Sequence, residues 1–160
     1  MSSMIKILTL ALALAASVAG AAHAAPAYLT DGDHRAELVL RSMDTPLTAD
    51  VIAKAGITEQ LAIKLLQAPE ARPYDRVRAV SALAFFPTDT AFSAVAEQIR
   101  LGATESIKIQ AVITLARAFG PQRSDAVKSI LSALPTTGKL GEHVARERAR
   151  LLDRETPTAR

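Results

Sequence analysis

The chain has 160 residues, no cysteine and few aromatic side chains, and 19 Lys and Arg against 16 Asp and Glu leave a formal charge of +3. The lack of cysteine excludes a disulfide framework and a lipid-modified cysteine anchor. So small a basic excess argues against nucleic acid as a partner, because a phosphate-binding surface needs concentrated Lys and Arg and stacking rings.

Residues 1–24 have the pattern of a cleavable export signal. Lys6 precedes an apolar run over 7–16, interrupted only by Thr9, and the segment ends in the small-x-small pattern of residues 22–24. The run is shorter than the ~20 apolar residues that a membrane-spanning helix needs. We therefore predict cleavage after Ala24 and a periplasmic or secreted product. Lys6 is the one charged residue removed, so 18 Lys and Arg remain against 16 Asp and Glu.

Alanine-rich and leucine-rich segments, separated by Gly and Pro at helix-length intervals, predict helices throughout the remaining chain. The breakers place about six to eight of them. In chain order, the predicted helices span residues 33–43, 48–55, 58 to just before Pro69, 74–86, 88–100, 105–119, 124–134 and 141–154.

Two of the predicted helix pairs can be aligned with each other, which indicates an internal repeat. The first helices align at a spacing of 30 and the second helices at a spacing of 32. Matched residues are Val77 with Ile107, Ser81 with Ala111 and Phe85 with Leu115 in the first helices, and Ala94 with Ala126, Val95 with Val127 and Ile99 with Leu131 in the second. A third, diverged copy is expected from Val144 to Leu152. Small residues such as Ala111 are expected to let helices approach closely, and large ones such as Phe85 to fill the space between layers.

The stretches DRVRAVSALAFFP and ESIKIQAVITLARAFG, with the helices that follow them, resemble the HEAT-like repeats of phycobilisome-lyase-type families. The resemblance covers residues 73–154, about half of the chain. It implies an all-α fold in which antiparallel helix pairs form a short right-handed stack, a HEAT-like α-solenoid. Residues 25–72 are then an N-terminal helical cap region, and 155–160 a disordered tail. The alternative architecture is an irregular helical bundle.

The search for catalytic, cofactor and metal sites finds none in the sequence. His34 and His143 lie about a hundred residues apart, no serine stands in a Gly-x-Ser-x-Gly turn, and no nucleotide-binding glycine loop occurs. Residues 31–34, Asp-Gly-Asp-His, lack the closing glutamate of a calcium-binding loop, which favours a turn with Asp33 as a helix cap. We therefore expect neither enzymatic activity nor a cofactor.

Two groups of side chains are candidates for contact with a partner. The resemblance to HEAT-like repeats implies that the second helix of each pair lines an inner surface, where the exposed positions to expect are Glu97, Gln98, Arg100, Asp125, Lys128 and Ser132. The last predicted helix holds the main concentration of arginine. Its residues Arg146, Arg150 and Arg154 recur every four positions and share one face.

The leading hypothesis is a non-catalytic scaffold or adaptor that binds an unidentified protein partner. Two alternatives stay open. In one, the chain is a peripheral envelope or membrane-binding protein whose arginine face makes weak contact with anionic lipid headgroups. In the other, it is a lyase-like protein with a small ligand, as some relatives of this repeat type are. The structural alternative for the arginine face is a solvated surface on which Glu147 and Asp153 lie within helical reach of the arginines.

Overall fold

A computed structural model describes residues 34–42 and 44–155, and every regular element in these ranges is helical. The predicted signal segment, residues 1–24, and the predicted helix cap Asp33 lie outside the described residues, as do residues 156–160 of the predicted tail. Glu155, predicted to begin that tail, is helical instead. The helices are α1 (His34–Arg41), α2 (Ala49–Ala55), α3 (Glu59–Gln67), α4 (Pro73–Leu83), α5 (Asp89–Leu101), α6 (Glu105–Thr114), α7 (Ser124–Ser132) and α8 (Gly138–Glu155). A π-helical segment, Leu115–Phe119, continues α6. The prediction of an all-α fold is confirmed.

Threonine side chains set the start of four helices. Thr48, Thr58, Thr88 and Thr104 each accept a hydrogen bond from the backbone N–H three residues further on, at the first turn of α2, α3, α5 and α6. Such a side chain satisfies one of the backbone donors that the first turn leaves without a partner. Gly56 ends α2 with a φ of 72°, a left-handed conformation that glycine adopts without steric cost. These bounds follow the predicted ones closely.

Other predicted bounds are wrong by about a turn. Helix α4 ends at Leu83 rather than at residue 86, because the next three backbone N–H groups bond to carbonyls three residues back. Helix α8 begins at Gly138, a turn before residue 141. The predicted helix over 105–119 changes to π geometry at Leu115, where the N–H of Gly120 bonds to the carbonyl of Leu115 at 3.1 Å.

Helix α4 is joined to the N-terminal part of the described chain by long side chains. The Arg78 guanidinium donates to the carbonyls of Val39 and Thr45, at 3.1 and 2.7 Å. The Tyr74 hydroxyl donates to the carbonyl of Ser42 at 3.1 Å. Since buried carbonyls need donors, these bonds hold the segment between α1 and α2 against α4.

Helices α4, α6 and α8 lie side by side in that order. Helix α6 packs extensively on both α4 and α8, which make at most marginal contact with each other. Each of α3, α5 and α7 packs on the helix that follows it, α4, α6 and α8 respectively. The core of the protein therefore runs along α4 and α6 and ends against α8.

Burial repeats every 32 residues along these helices. The matched buried positions are Val80, Val112 and Val144 in one set, Leu83 and Leu115 in a second, Ala79 and Ala111 in a third, Val95 and Val127 in a fourth, and Ile99 and Leu131 in a fifth. The helix starts agree, since the N-cap residues of α4 and α6, Arg72 and Thr104, are also 32 apart.

The predicted spacing of 30 between the first helices is therefore wrong. It pairs Phe85, which is 36% exposed, with the fully buried Leu115. A spacing of 30 also places Asp75 on Glu105, although these two acidic residues take different places in their helices. Asp75 is the third residue of α4, whereas Glu105 is the first residue of α6. Phe85 consequently lies at the surface instead of between helices.

The close packing of α6 gives a direct test of the core. Ala111 is fully buried, so Ala111→Leu forces added methyl groups against the helices around α6. We expect the free energy of unfolding to fall by about 1–3 kcal/mol, measured by urea denaturation. The matched control is Ala126→Leu on the exposed side of α7, for which we expect a change within ~0.5 kcal/mol. Equal effects of the two substitutions would contradict the burial of Ala111.

Candidate functional site

Helix α8 packs on α6, α7 and the π-helical segment, and its buried stripe divides its arginines into two sets. The stripe is formed by Val144, Glu147 and Leu151. Because successive residues of an α-helix are about 100° apart, Arg148 lies on one edge of the stripe. The other edge carries Arg146, Arg150 and Arg154, which share one face as the four-residue spacing predicts.

On the Arg148 edge, a groove of about 260 Å³ lies between α7 and α8. Its lining residues are Lys128, Ser129 and Ser132 from α7, and Arg148 and Leu152 from α8. Two cations, two hydroxyl groups and an apolar side chain that is 60% exposed thus face one space. This combination suits a ligand with carboxylate groups next to an apolar group.

The candidate residues predicted for the second helices are only partly brought together. Lys128 and Ser132 line the groove. Glu97, Gln98 and Arg100 on α5 and Asp125 at the start of α7 do not line it, although all but the partly buried Gln98 are exposed. Three groove residues, Ser129, Arg148 and Leu152, were missed by sequence reasoning. Their signal is the four-residue spacing of Lys128 with Ser132 and of Arg148 with Leu152, which gives each pair one helix face.

On the opposite edge, a buried carboxylate is held by two arginines. Glu147 is 1% exposed. Its Oε1 accepts from Nη2 of Arg117 at 2.7 Å, from Nε of Arg117 at 3.2 Å and from Nη1 of Arg150 at 3.1 Å. The side chains of Arg117 and Arg150 are 49% and 50% exposed. The pairing of Glu147 with Arg150 agrees with the spacing, but the expected solvated position of Glu147 is wrong.

The charge state of this cluster follows from its contacts. Burial alone raises the pKa of the Glu147 carboxyl group, since it removes water from the charged form. The hydrogen bonds and charges of Arg117 and Arg150 outweigh burial and hold that pKa below its ordinary value. The hydrogen bond to Glu147 likewise raises the pKa of Arg117. Glu147 and Arg117 are therefore both ionised at neutral pH.

The 32-residue repeat shows that the pair of Glu147 and Arg117 is unusual. Glu147 stands 32 residues after Leu115, and Arg117 stands 32 residues after Phe85. Glu147 thus takes the position of a buried leucine, and Arg117 takes that of a phenylalanine that is 36% exposed. Burial of a carboxylate carries a desolvation cost that burial of a leucine does not.

Two other kinds of feature, a metal-binding group and a membrane-spanning helix, are absent from the described residues. Within 34–42 and 44–155, no group of three or more His, Cys, Asp or Glu side chains is placed to hold a metal ion. In the same ranges, no helix has both the length and the apolar character needed to span a bilayer. Comparisons with protein-family models, with curated proteins and with solved structures found no match to this chain.

The repeat can be tested by replacing Arg117 and Glu147 with the residues found 32 positions earlier, phenylalanine and leucine. We expect Arg117→Phe alone to lower the free energy of unfolding by about 1–3 kcal/mol, because Glu147 stays buried and loses a donor. In the double variant with Glu147→Leu, we expect stability at least equal to that of the wild type. Urea denaturation of both single variants and the double variant gives the coupling energy. Additive effects would contradict the pairing.

The lowered pKa of Glu147 predicts a pH dependence of stability. A carboxyl group whose folded pKa is below its unfolded value, about 4.3, stabilises the fold above that value and loses this contribution as the pH falls through the folded pKa. Glu147→Leu removes the titrating group. We therefore expect the stability of the wild type relative to this variant to fall as the pH is lowered below ~4.3 in urea denaturation. Parallel pH curves would show that Glu147 does not contribute.

Proposed function

We propose that this chain is a non-catalytic helical-repeat adaptor that functions outside the cytoplasm. In this proposal it binds an acidic segment of a protein partner in the groove between α7 and α8. The observation that carries the proposal is the composition of that groove, in which Lys128 and Arg148 face the same space as an exposed leucine. The export pattern of residues 1–24 supports the location in the periplasm or outside the cell.

The packing of the helices supports the proposed architecture, a HEAT-like stack of antiparallel pairs over residues 73–154. The side-by-side order of α4, α6 and α8 and the 32-residue period of burial are what a stack of similar layers requires. Such a stack presents a long surface and needs no reactive groups. On this proposal, residues 25–72 form an N-terminal cap region that closes the stack.

The chemistry of the groove limits the partner. A carboxylate can accept hydrogen bonds from Lys128 and Arg148, and the hydroxyl groups of Ser129 and Ser132 can add further donors. Leu152 offers an apolar contact beside these groups, which favours a segment that alternates acidic and apolar residues. Electrostatic attraction speeds the encounter, while the buried contacts set the lifetime of the complex.

The test is affinity capture with tagged protein from the envelope fraction of its own cells, after mild cross-linking, followed by affinity measurement with the purified partner. We expect Lys128→Glu and Arg148→Glu each to weaken binding at least about tenfold, since like charges then meet in the groove. Rising salt should weaken binding by the wild type.

The matched control is Arg146→Glu, which makes the same charge change on the opposite edge of α8. We expect it to leave the affinity unchanged. If all three substitutions weaken binding equally, the effect belongs to net charge and the groove is not the site. If Lys128→Glu and Arg148→Glu have no effect, the partner binds elsewhere and the proposed function is wrong.

A further inference from the structure

The cluster around Glu147 has unused donors that point to a second site. Arg117 and Arg150 share one buried carboxylate, and both guanidinium groups are about half exposed. Among the described residues, Nη1 of Arg117 and Nε and Nη2 of Arg150 have no hydrogen-bond partner. Two guanidinium groups therefore present donors to solvent from around the same carboxylate oxygen.

The charges near this cluster leave a positive excess. Two guanidinium groups face one carboxylate, which gives the cluster a net charge of +1. Arg146 and Arg154 lie one turn before and one turn after Arg150 on the same edge of α8, and both are exposed. The neighbouring carboxylates Glu142 and Asp153 form no ion pair with a described arginine of this edge.

Stability alone does not account for a carboxylate at position 147. The equivalent positions in the two preceding layers hold Leu83 and Leu115, both fully buried. Replacing a buried ion pair with apolar side chains is often neutral or stabilising. What the carboxylate adds is orientation, because it holds two long and otherwise flexible side chains in fixed positions at the surface.

We propose that Arg117 and Arg150 form a binding site for a phosphate group, with Glu147 as the residue that positions them. Planar guanidinium groups bind the oxygens of phosphate through paired hydrogen bonds. A phosphate group presents three terminal oxygens and about two negative charges at neutral pH, so it can bridge two guanidinium groups. A single carboxylate group has two oxygens and one negative charge, so it matches the two positively charged guanidinium groups less well. The site lies on the opposite edge of α8 from the groove and does not depend on the proposed adaptor function.

The experiment is calorimetric titration of the purified protein with inorganic phosphate at constant ionic strength, with chloride as the reference anion. We expect saturable binding by the wild type and binding at least about tenfold weaker by Arg150→Gln, which removes one charged donor group. The matched control is Arg35→Gln, which removes the same charge from an exposed position of α1, outside both candidate sites, and should bind phosphate as the wild type does. Far-UV circular dichroism checks that both variants keep their helices.

A parallel titration with glycerol 3-phosphate separates two sources of the same group. Tighter binding of the inorganic ion indicates free phosphate as the ligand, and tighter binding of the ester indicates a phosphorylated small molecule. Absence of saturable binding by either probe overturns the proposal. Equal weakening by Arg150→Gln and Arg35→Gln also overturns it, because the protein then responds only to net charge.

Discussion

The close contact between α4 and α6 is the constraint on which the rest of the structure depends. Ala79 and Val80 on α4 and Ala111 and Val112 on α6 are all fully buried, and the two helices pack extensively on each other. Small side chains such as alanine allow helices to approach closely. Helix α6 in turn supports α5 and α8. The position of α8, and with it both candidate sites, therefore depends on the packing of α4 against α6 and of α6 against α8.

Helix α8 continues the 32-residue spacing of buried positions in α4 and α6, but its chemistry differs from theirs. Val144 continues the buried valine series, but Glu147 continues the leucine series with a charge. The π-helical segment supplies the arginine that makes this possible, since Arg117 lies within it and reaches Glu147 at 2.7 Å. Wider helical turns of this kind are frequently found at functional sites. Apolar packing thus maintains the 32-residue spacing, while the pair of Glu147 and Arg117 changes what the surface of α8 can bind.

Local features of the sequence were enough to predict the helices, whereas the candidate site needed information from distant parts of the chain. Threonine caps and the glycine at residue 56 act within one turn, so Thr48, Thr58 and Thr88 marked helix starts correctly. The repeat register was predicted wrongly because alanine-rich helices match at more than one spacing, and burial depends on neighbours that lie far away in sequence. Glu147 shows the same limit. In a helix rich in arginine it has the pattern of a solvated partner, and its burial depends on Arg117, thirty residues earlier.

One residue links the two edges of α8. Because Glu147 is bonded to Arg117 on the π-helical segment, the rotation of α8 about its own axis is restricted. Arg148, the next residue, must then project about 100° away, which directs it to the groove beside Lys128. Arg150 is held on the opposite edge by the same carboxylate. A leucine at position 147 would allow several nearby rotations of α8, since apolar contacts are not directional. The buried carboxylate therefore makes the geometry of both edges more definite than apolar packing alone.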